Sequence, residues 1–180
     1  MTRNNMVWGS LLALLVACGG ESGSESGERS GGALVDHNDW VVSALGTDFF
    51  GAIPEEVCEE EVSYRAEELG GEFVFAIETR FCSYLTVEQP ARLGIEAGDT
   101  IKVRLYHAPL TGPPEALAHV GLAIGGEVLW SRQVPIPAGN AFVIEEIVID
   151  SDAPAGTPIL FHVDNHGDNE YALIELTLNI

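Results

Sequence analysis

The chain has 180 residues, of which 28 are acidic and 8 are Lys or Arg, so its formal net charge is −20 at pH 7. This charge disfavours nucleic acids and anionic lipid headgroups as partners, and it favours cations, Ca²⁺ among them. The length allows one domain of about 150 residues beside shorter segments, which is enough to bury a substantial core.

The first 17 residues have the pattern of a secretory signal peptide. Arg3 supplies a positive charge, and the apolar run over residues 6–17 is too short to span a bilayer as a helix. The run ends in Leu15-Val16-Ala17-Cys18, which resembles the lipobox of bacterial lipoproteins. That resemblance implies cleavage of residues 1–17 and lipidation of Cys18, whose acyl chains would anchor the mature chain in a bilayer. The alternative is an ordinary secretory signal with a coincidental cysteine.

The residue after Cys18 bears on localisation. Gly19 follows the cysteine, rather than the Asp that retains lipoproteins at the inner membrane in familiar enteric systems. We therefore expect a lipoprotein of the outer membrane in the bacterial cell envelope, on its periplasmic side or at the cell surface.

Residues 18–32 are predicted to be a flexible tether. After the cysteine this segment contains only Gly, Ser, Glu and one Arg, so it has nothing apolar to bury. The folded ectodomain is then expected over residues 33–180.

The ectodomain has the alternation of short β-strands separated by Gly and Pro. Thr100 to His107 alternates most clearly, and residues 171–180 show an apolar stripe through Ala172, Ile174 and Leu176. Further strands are predicted over 40–45, 62–66, 73–77, 81–87, 142–149 and 159–163, with at most one helical turn over 54–61. About ten short strands predict an all-β fold, a single β-sandwich of the jelly-roll kind.

Gly125-Gly126 predicts a hairpin, because a two-residue type I′ turn requires positive φ at both positions. The resulting register pairs Leu122 with Leu129 and Gly121 with Trp130. The core face is then formed by Val120, Leu122, Ile124 and Leu129. The opposite face is formed by His119, Gly121, Ala123, Val128, Trp130 and Arg132. Trp130 is expected to lie flat over Gly121.

Three segments resemble galactose-binding-like and carbohydrate-binding-module jelly rolls. They are residues 95–101, residues 155–159 and the final apolar strand after Asn165-His166-Gly167. The resemblance implies a non-catalytic domain that binds a ligand, either a carbohydrate or an envelope protein.

Two cysteines remain in the predicted ectodomain, Cys58 and Cys82. A lipoprotein signal directs the chain to an oxidising compartment, where such a pair usually forms a disulfide. Closing a loop of about 25 residues contributes on the order of 3 kcal/mol.

Sugar recognition needs an exposed aromatic face beside polar groups. The sequence offers such sets around Trp130, with His119 and Arg132, around Trp40, and around Tyr106, which follows Lys102 and Arg104. A tryptophan in a small β-sandwich can equally be a core residue.

A periplasmic metal-binding protein is the alternative function. The oxygen-rich segment over residues 164–170 could hold a structural Ca²⁺. The nearby histidines also make a transition-metal site a candidate. The candidate ligands are His162, Asp164, His166, Asp168 and Glu170. The segment can also be a polar turn that uses Asn and Gly for its geometry.

Catalytic motifs are missing from the sequence, which has no G-x-S-x-G, H-E-x-x-H, P-loop or G-x-G-x-x-G pattern. A glycosidase-type pair of carboxylates stays open because acidic residues are abundant. We therefore expect a binding protein, with a hydrolase as the less favoured possibility.

Overall fold

A computed structural model describes residues 29–43, 50, 58–165 and 167–180. The predicted signal peptide, the lipobox with Cys18, most of the predicted tether and His166 lie outside the described residues. Among the described residues, no helix is long and apolar enough to cross a membrane.

The described residues form β-strands and no helix, in agreement with the predicted all-β class. Residues 54–57 of the possible helical turn over 54–61 lie outside the described residues. The strands are β1 (Gly32–Ala33), β2 (Val41–Val42), β3 (Tyr64–Leu69), β4 (Glu72–Glu78), β5 (Tyr84–Pro90), β6 (Thr100–His107), β7 (Leu117–Ile124), β8 (Glu127–Pro135), β9 (Ala141–Val148), β10 (Pro158–Asp164) and β11 (Glu170–Asn179). The bounds of β6 are those expected from its alternation. The strands predicted from residues 62 and 81 begin later, at Tyr64 and Tyr84.

Two antiparallel sheets pack face to face as a β-sandwich. Sheet A has the order β3-β4-β11-β6-β9, with β1 also paired to β11, and sheet B has the order β2-β5-β10-β7-β8. The core between them includes the fully buried side chains of Tyr171, Phe75, Phe161, Leu105 and Leu122. The predicted β-sandwich is therefore confirmed.

Antiparallel pairing gathers the loops at two ends of the sandwich, which we name after the ends of β6. At the Thr100 end lie the loops over 91–99 and 149–157, the Gly125-Gly126 turn and the last residues of β11. At the His107 end lie the loops over 79–83, 108–116, 136–140 and 165–169. β1 pairs with the end of β11, so the described chain enters the fold at the Thr100 end.

A β-bulge in β8 corrects the predicted hairpin register. Gly125 and Gly126 have φ of 59° and 96°, and Val128 pairs with Ala123 as expected. The ladder then shifts, so that Trp130 lies opposite Leu122 rather than Gly121. The predicted pairing of Leu122 with Leu129 is wrong, because one extra residue on β8 reverses which side chains face the core beyond it.

A second bulge, in β11, interrupts the predicted apolar stripe. The register on β6 shifts between Leu173 and Glu175. Before the bulge Tyr171 and Leu173 belong to the core, and after it Leu176 does. The expected stripe through Ala172 and Ile174 is therefore wrong, since the bulge changes the phase of the alternation.

The disulfide between Cys58 and Cys82 is confirmed, with Cα atoms 5.2 Å apart. Cys82 is buried, and both sulfur atoms contact the carbonyl oxygen of Tyr84, at 3.3 and 3.1 Å. The bond joins residue 58 to the His107 end of sheet B.

Candidate functional site

The outer face of sheet A, turned away from the core, carries an accessible aromatic pair. On β6 the side chains of Lys102, Arg104 and Tyr106 point to this face, because they alternate with buried residues of the same strand. Across the ladder Tyr106 pairs with Phe142, and their ring centroids are 5.1 Å apart. Phe142 is 61% exposed and Tyr106 is half-buried, so the Phe142 ring and part of the Tyr106 ring are accessible to solvent.

A cavity of about 370 Å³ borders the aromatic pair. Its walls are formed by Leu69, Glu72, Val74, Tyr106, Phe142 and Ile174. The volume lies within the range of about 300 to 1,000 Å³ that is typical of small-ligand sites. Ile174 reaches this cavity because the β11 bulge removes it from the core alternation.

Ion pairs hold the charged side chains next to the aromatic pair. Arg104 Nη1 lies 3.1 Å from a carboxylate oxygen of Glu72 and 3.3 Å from one of Glu175. Lys102 Nζ lies 3.1 Å from Glu175. Burial opposes ionisation of Glu175, but hydrogen bonds from Lys102, Thr177 and Arg104 hold its pKa below the usual value. The network therefore keeps Glu175 charged and fixes the guanidinium of Arg104.

A second group of charges lies along the same face. Arg65 Nε is 2.8 Å from Glu67, and its Nη2 is 2.9 Å from Glu78. Glu170 lies directly opposite Glu78 in the β4–β11 ladder. Burial, and then the charges of Glu67 and Glu78, raise the pKa of Glu170. Each basic side chain found on this face is thus already neutralised by a glutamate.

The arrangement combines two chemistries. Aromatic rings offer a flat apolar surface to the C–H face of a ligand ring. The carboxylates and the guanidinium beside them offer acceptors and donors in fixed positions. Because the local cations are already paired, the surface is better matched to hydroxyl groups than to an anion.

The outer face of sheet B is different, because its central side chains are buried. His162 is fully buried, and its Nδ1 lies 2.8 Å from the hydroxyl of Thr86. The ring of Phe50 stacks on His162, with centroids 4.6 Å apart and planes 8° from parallel. His119 contacts both rings edge-on, with centroids 5.2 Å from His162 and 5.9 Å from Phe50.

Gly121 makes room for this cluster. A Cβ built at Gly121 would collide with the Phe50 ring, whose Cζ would be 2.9 Å away. We expected an aromatic ring over this glycine, but the ring belongs to Phe50 and not to Trp130. The space above Gly121 is thus filled by Phe50, which is distant in sequence, whereas the hairpin pattern predicted that a residue of the paired strand β8 would fill it.

The structure places Trp40 in the core. It is 5% exposed, and its ring centroid lies 5.6 Å from that of Phe75 and 6.4 Å from that of Phe161. The indole has no free face for a sugar ring, so the structure supports the core interpretation of this residue.

The candidate set of Trp130, His119 and Arg132 is not brought together. Trp130 and Arg132 lie opposite Leu122 and Val120, which belong to the core, and Trp130 packs against it. Arg132 reaches across to Glu145 of sheet A at 3.4 Å. His119 instead lies on the outer face of sheet B. The β8 bulge separates these side chains because it reverses which face of sheet B the residues after it point to.

The candidate metal ligands also lie apart. His162 and Asp164 belong to β10 of sheet B, whereas Glu170 begins β11 of sheet A. Asp168 lies 3.8 Å from Arg80. Within the described ranges no group of three or more His, Cys, Asp or Glu side chains is arranged to hold a metal ion. His166 lies outside those ranges, so a metal site that includes His166 stays a prediction.

Hydrogen bonds organise the segment between β10 and β11. Thr79 Oγ1 donates to the carbonyl oxygen of Gly167 at 2.7 Å and accepts from Asn165 Nδ2 at 2.9 Å. Asn169 Oδ1 accepts from Thr111 N at 2.6 Å, and its Nδ2 donates to Thr111 O at 2.8 Å. These amides hydrogen-bond to protein groups and connect three loops. The segment therefore uses Asn as a polar turn does, which was the alternative to a metal site.

Phe142, Glu72 and Glu175 were not among the candidates proposed from the sequence. Phe142 alternates with the buried Val143, and this pattern indicates an outward ring. Its proximity to Tyr106 depends on the pairing of β6 with β9, and the proximity of Glu72 to Arg104 depends on the order of strands in sheet A. No local pattern predicts either contact.

No family model and no curated protein sequence matches this chain. Solved structures do match it in fold. A carbohydrate-binding module of family 28, specific for non-crystalline cellulose, aligns with a TM-score of 0.51 and 11% identity over 79% of this chain and 87% of its own.

An arabinose-bound α-L-arabinofuranosidase aligns with a TM-score of 0.50 and 13% identity, over 81% of this chain and 26% of that enzyme. The chain therefore spans about a quarter of the arabinofuranosidase. At such identities the similarity establishes the fold, a β-sandwich of the jelly-roll kind found in carbohydrate-binding modules.

Proposed function

We propose that this protein is a non-catalytic lipoprotein whose β-sandwich binds a neutral carbohydrate on the outer face of sheet A. The observation that supports this most strongly is the aromatic pair of the exposed Phe142 and the half-buried Tyr106, beside a cavity and the ion-paired Arg104. The fold is compatible with this function, but it also accommodates many others. The ligand class therefore rests on the chemistry of the site.

The preference for a neutral glycan follows from charge. The chain has a net charge of −20, so an anionic polymer is repelled at long range. At short range, an anionic sugar would have to displace Glu72 or Glu175 from Arg104. Hydroxyl groups can instead hydrogen-bond to these carboxylates without separating the ion pairs.

Isothermal titration calorimetry with the soluble ectodomain tests the proposal. The neutral probes are hydroxyethyl cellulose and arabinan, and polygalacturonate is the anionic probe. We expect binding of at least one neutral polymer and none of polygalacturonate. Tyr106→Ala and Phe142→Ala should each weaken that binding by about 10- to 100-fold, since a stacked aromatic contributes roughly 1.4 to 3 kcal/mol.

Phe81→Ala is the matched control, because Phe81 is also exposed, at 53%, but lies in the loop between β4 and β5 and does not line the cavity. It should leave the affinity unchanged. Absence of binding to every neutral polymer would contradict the proposed ligand class. Binding that survives loss of both rings would contradict the proposed site.

The anchor is a separate part of the proposal, and it rests on the lipobox-like sequence before Cys18. Mass spectrometry of the mature protein from a bacterial envelope should find an N-terminal Cys18 that carries acyl chains. Secretion of a chain with unmodified Cys18, or cleavage at another position, would contradict it. Replacing Cys18 by Ser should release the protein from membranes, and this result does not depend on glycan binding.

A further inference from the structure

We infer that the anchored domain is oriented with its Thr100 end toward the bilayer and with the Tyr106–Phe142 pair away from it. The membrane-facing surface would be formed by the loops over 91–99 and 149–157. This inference rests on the proposed attachment through Cys18, and it adds an orientation that the attachment alone does not specify.

The first argument is the path of residues 29–33 along the domain. Gly32 pairs with Leu178 at the end of β11. Gly31 passes so close to β11 that a Cβ on it would collide with the carbonyl oxygen of Leu178. These contacts hold the chain against sheet A up to the Thr100 end, although the sequence assigned these residues to the tether.

Arg29 completes this attachment. Its guanidinium contacts both carboxylate oxygens of Asp99, at 2.5 and 3.3 Å, and Glu96 at 2.9 Å. Asp99 is buried and also accepts a hydrogen bond from Glu96 N, so the loop that holds Arg29 is itself ordered. The chain therefore leaves the folded domain beside the loop over 94–99.

The second argument is the distance available. Only the 11 residues from Cys18 to Glu28 remain between the lipid and Arg29. A Gly/Ser-rich coil of this length has a root-mean-square span of about 18 Å. The composition of this segment therefore predicts that the Thr100 end stays near the membrane surface.

The third argument is the position of the aromatic pair. Tyr106 lies six residues beyond Thr100 on β6, and Phe142 lies beside it at the start of β9. At about 3.3 Å per residue this places the pair about 20 Å from the Thr100 end. The site would thus meet a polymer that lies beyond the bilayer rather than a headgroup of the anchoring membrane.

Charge does not favour a domain that lies on its side. The loops of the Thr100 end are also acidic, with Glu96, Asp150 and Asp152, so the path of the chain and not charge carries the orientation. The outer face of sheet A includes Glu67, Glu72, Glu78, Glu146 and Glu175, and sheet B includes Glu88. An anionic bilayer repels these faces within a Debye length of about 8 Å at physiological salt. Neither sheet offers a basic surface that would attract it.

Energy transfer from a site-specific dye to a lipid dye tests the orientation. The mature chain, with its disulfide intact, is coupled through Cys18 to a maleimide lipid in vesicles of phosphatidylcholine and phosphatidylglycerol. The dye is attached to an azido amino acid in place of Asp150 or of Pro114, which are exposed at the Thr100 and His107 ends respectively. We expect transfer from position 150 to exceed that from position 114 at least about twofold, given a separation of about 20 Å.

Equal transfer from the two positions, or stronger transfer from position 114, would overturn the inference. Arg29→Ala should narrow the difference in energy transfer between positions 150 and 114, because residues 29–31 would then join the tether. An unchanged difference would show that Arg29 does not set the exit point. The coupling is chemical, so the result does not depend on lipidation in the cell or on glycan binding.

Discussion

The two outer faces of the sandwich use aromatic rings in opposite ways. On sheet A, Tyr106 and Phe142 meet across two strands, where Phe142 is exposed to solvent and Tyr106 is half-buried. On sheet B, Phe50 stacks on the fully buried His162 above Gly121. The first arrangement leaves an aromatic surface for a ligand, whereas the second covers the equivalent surface with a ring of the same chain.

The difference shows why a β-sandwich cannot be assigned a binding face from its topology alone. Both sheets have an outer face with aromatic and polar side chains. Only burial distinguishes them, because a ring that is already packed on both sides contributes to stability rather than to recognition. Substitutions on sheet B should therefore affect folding, and those on sheet A should affect binding.

His162→Ala should give the largest effect. It removes a fully buried ring, its stacking on Phe50 and its hydrogen bond with Thr86, and we expect a loss of about 2 to 4 kcal/mol in the free energy of unfolding. Tyr106→Ala on sheet A should cost less than about 1 kcal/mol, because Tyr106 is only half buried. Urea unfolding measures both, and similar losses would contradict the contrast between the faces.

Gly121→Ala tests whether Phe50 packs on sheet B in solution. The added methyl group would collide with the Phe50 ring, and we expect a cost of about 1 to 3 kcal/mol. Gly139→Ala is the control, because a Cβ at this exposed glycine meets no atom within 4 Å. If both variants unfold at the same urea concentration as the parent protein, Phe50 does not occupy this position.

Arg104→Met tests the charge network of sheet A. It leaves Glu72 without its ion pair and Glu175 with Lys102 as its remaining ion-pair partner. We expect a loss of about 1 kcal/mol at low salt that shrinks in 1 M NaCl. Arg92→Met is the control, since Arg92 and Asp36 form an exposed pair at 3.5 Å. Its effect should be close to zero at either salt concentration, and an Arg104 effect independent of salt would exclude a coulombic cause.

Glu170→Gln should have the smallest effect, and its sign depends on pH. Burial and neighbouring glutamates raise the pKa of Glu170 above its ordinary value of 4.5. The folded state therefore binds this proton more tightly than the unfolded state. The free energy of unfolding falls as pH rises from the ordinary pKa of 4.5 through the raised pKa of the folded state. We expect Glu170→Gln to stabilise the protein by less than about 1 kcal/mol at pH 7 and not at pH 4.

Thermal unfolding of Glu170→Gln at the two pH values checks this. A greater stabilisation at pH 4 than at pH 7 would mean that Glu170 is stabilised as a carboxylate, in conflict with the local geometry.

The sequence was sufficient for local features. Alternation over Thr100–His107 predicted β6 to the residue, and Gly125-Gly126 predicted a turn with two positive φ angles. The all-β class and the Cys58–Cys82 disulfide also followed from the sequence. Each of these depends on neighbours along one strand, on one turn or on the number of cysteines, which the sequence contains directly.

The site depended on longer-range structure. Two bulges changed which residues of β8 and β11 face the core, so Trp130 moved away from His119 and Ile174 moved to the aromatic cavity. A bulge inserts a single residue and has no strong pattern of its own, yet it inverts the alternation beyond it.

Strand order and long-range packing determined the rest of the site. The pairing of β6 with β9 brought Phe142 to Tyr106, and the packing of Phe50 on β7 and β10 covered the outer face of sheet B. By itself the sequence determined that this is a strongly acidic β-sandwich with a lipobox-like motif before Cys18. Tertiary structure decided which face of that sandwich is open, because exposure depends on residues that are distant in sequence and adjacent only in the fold.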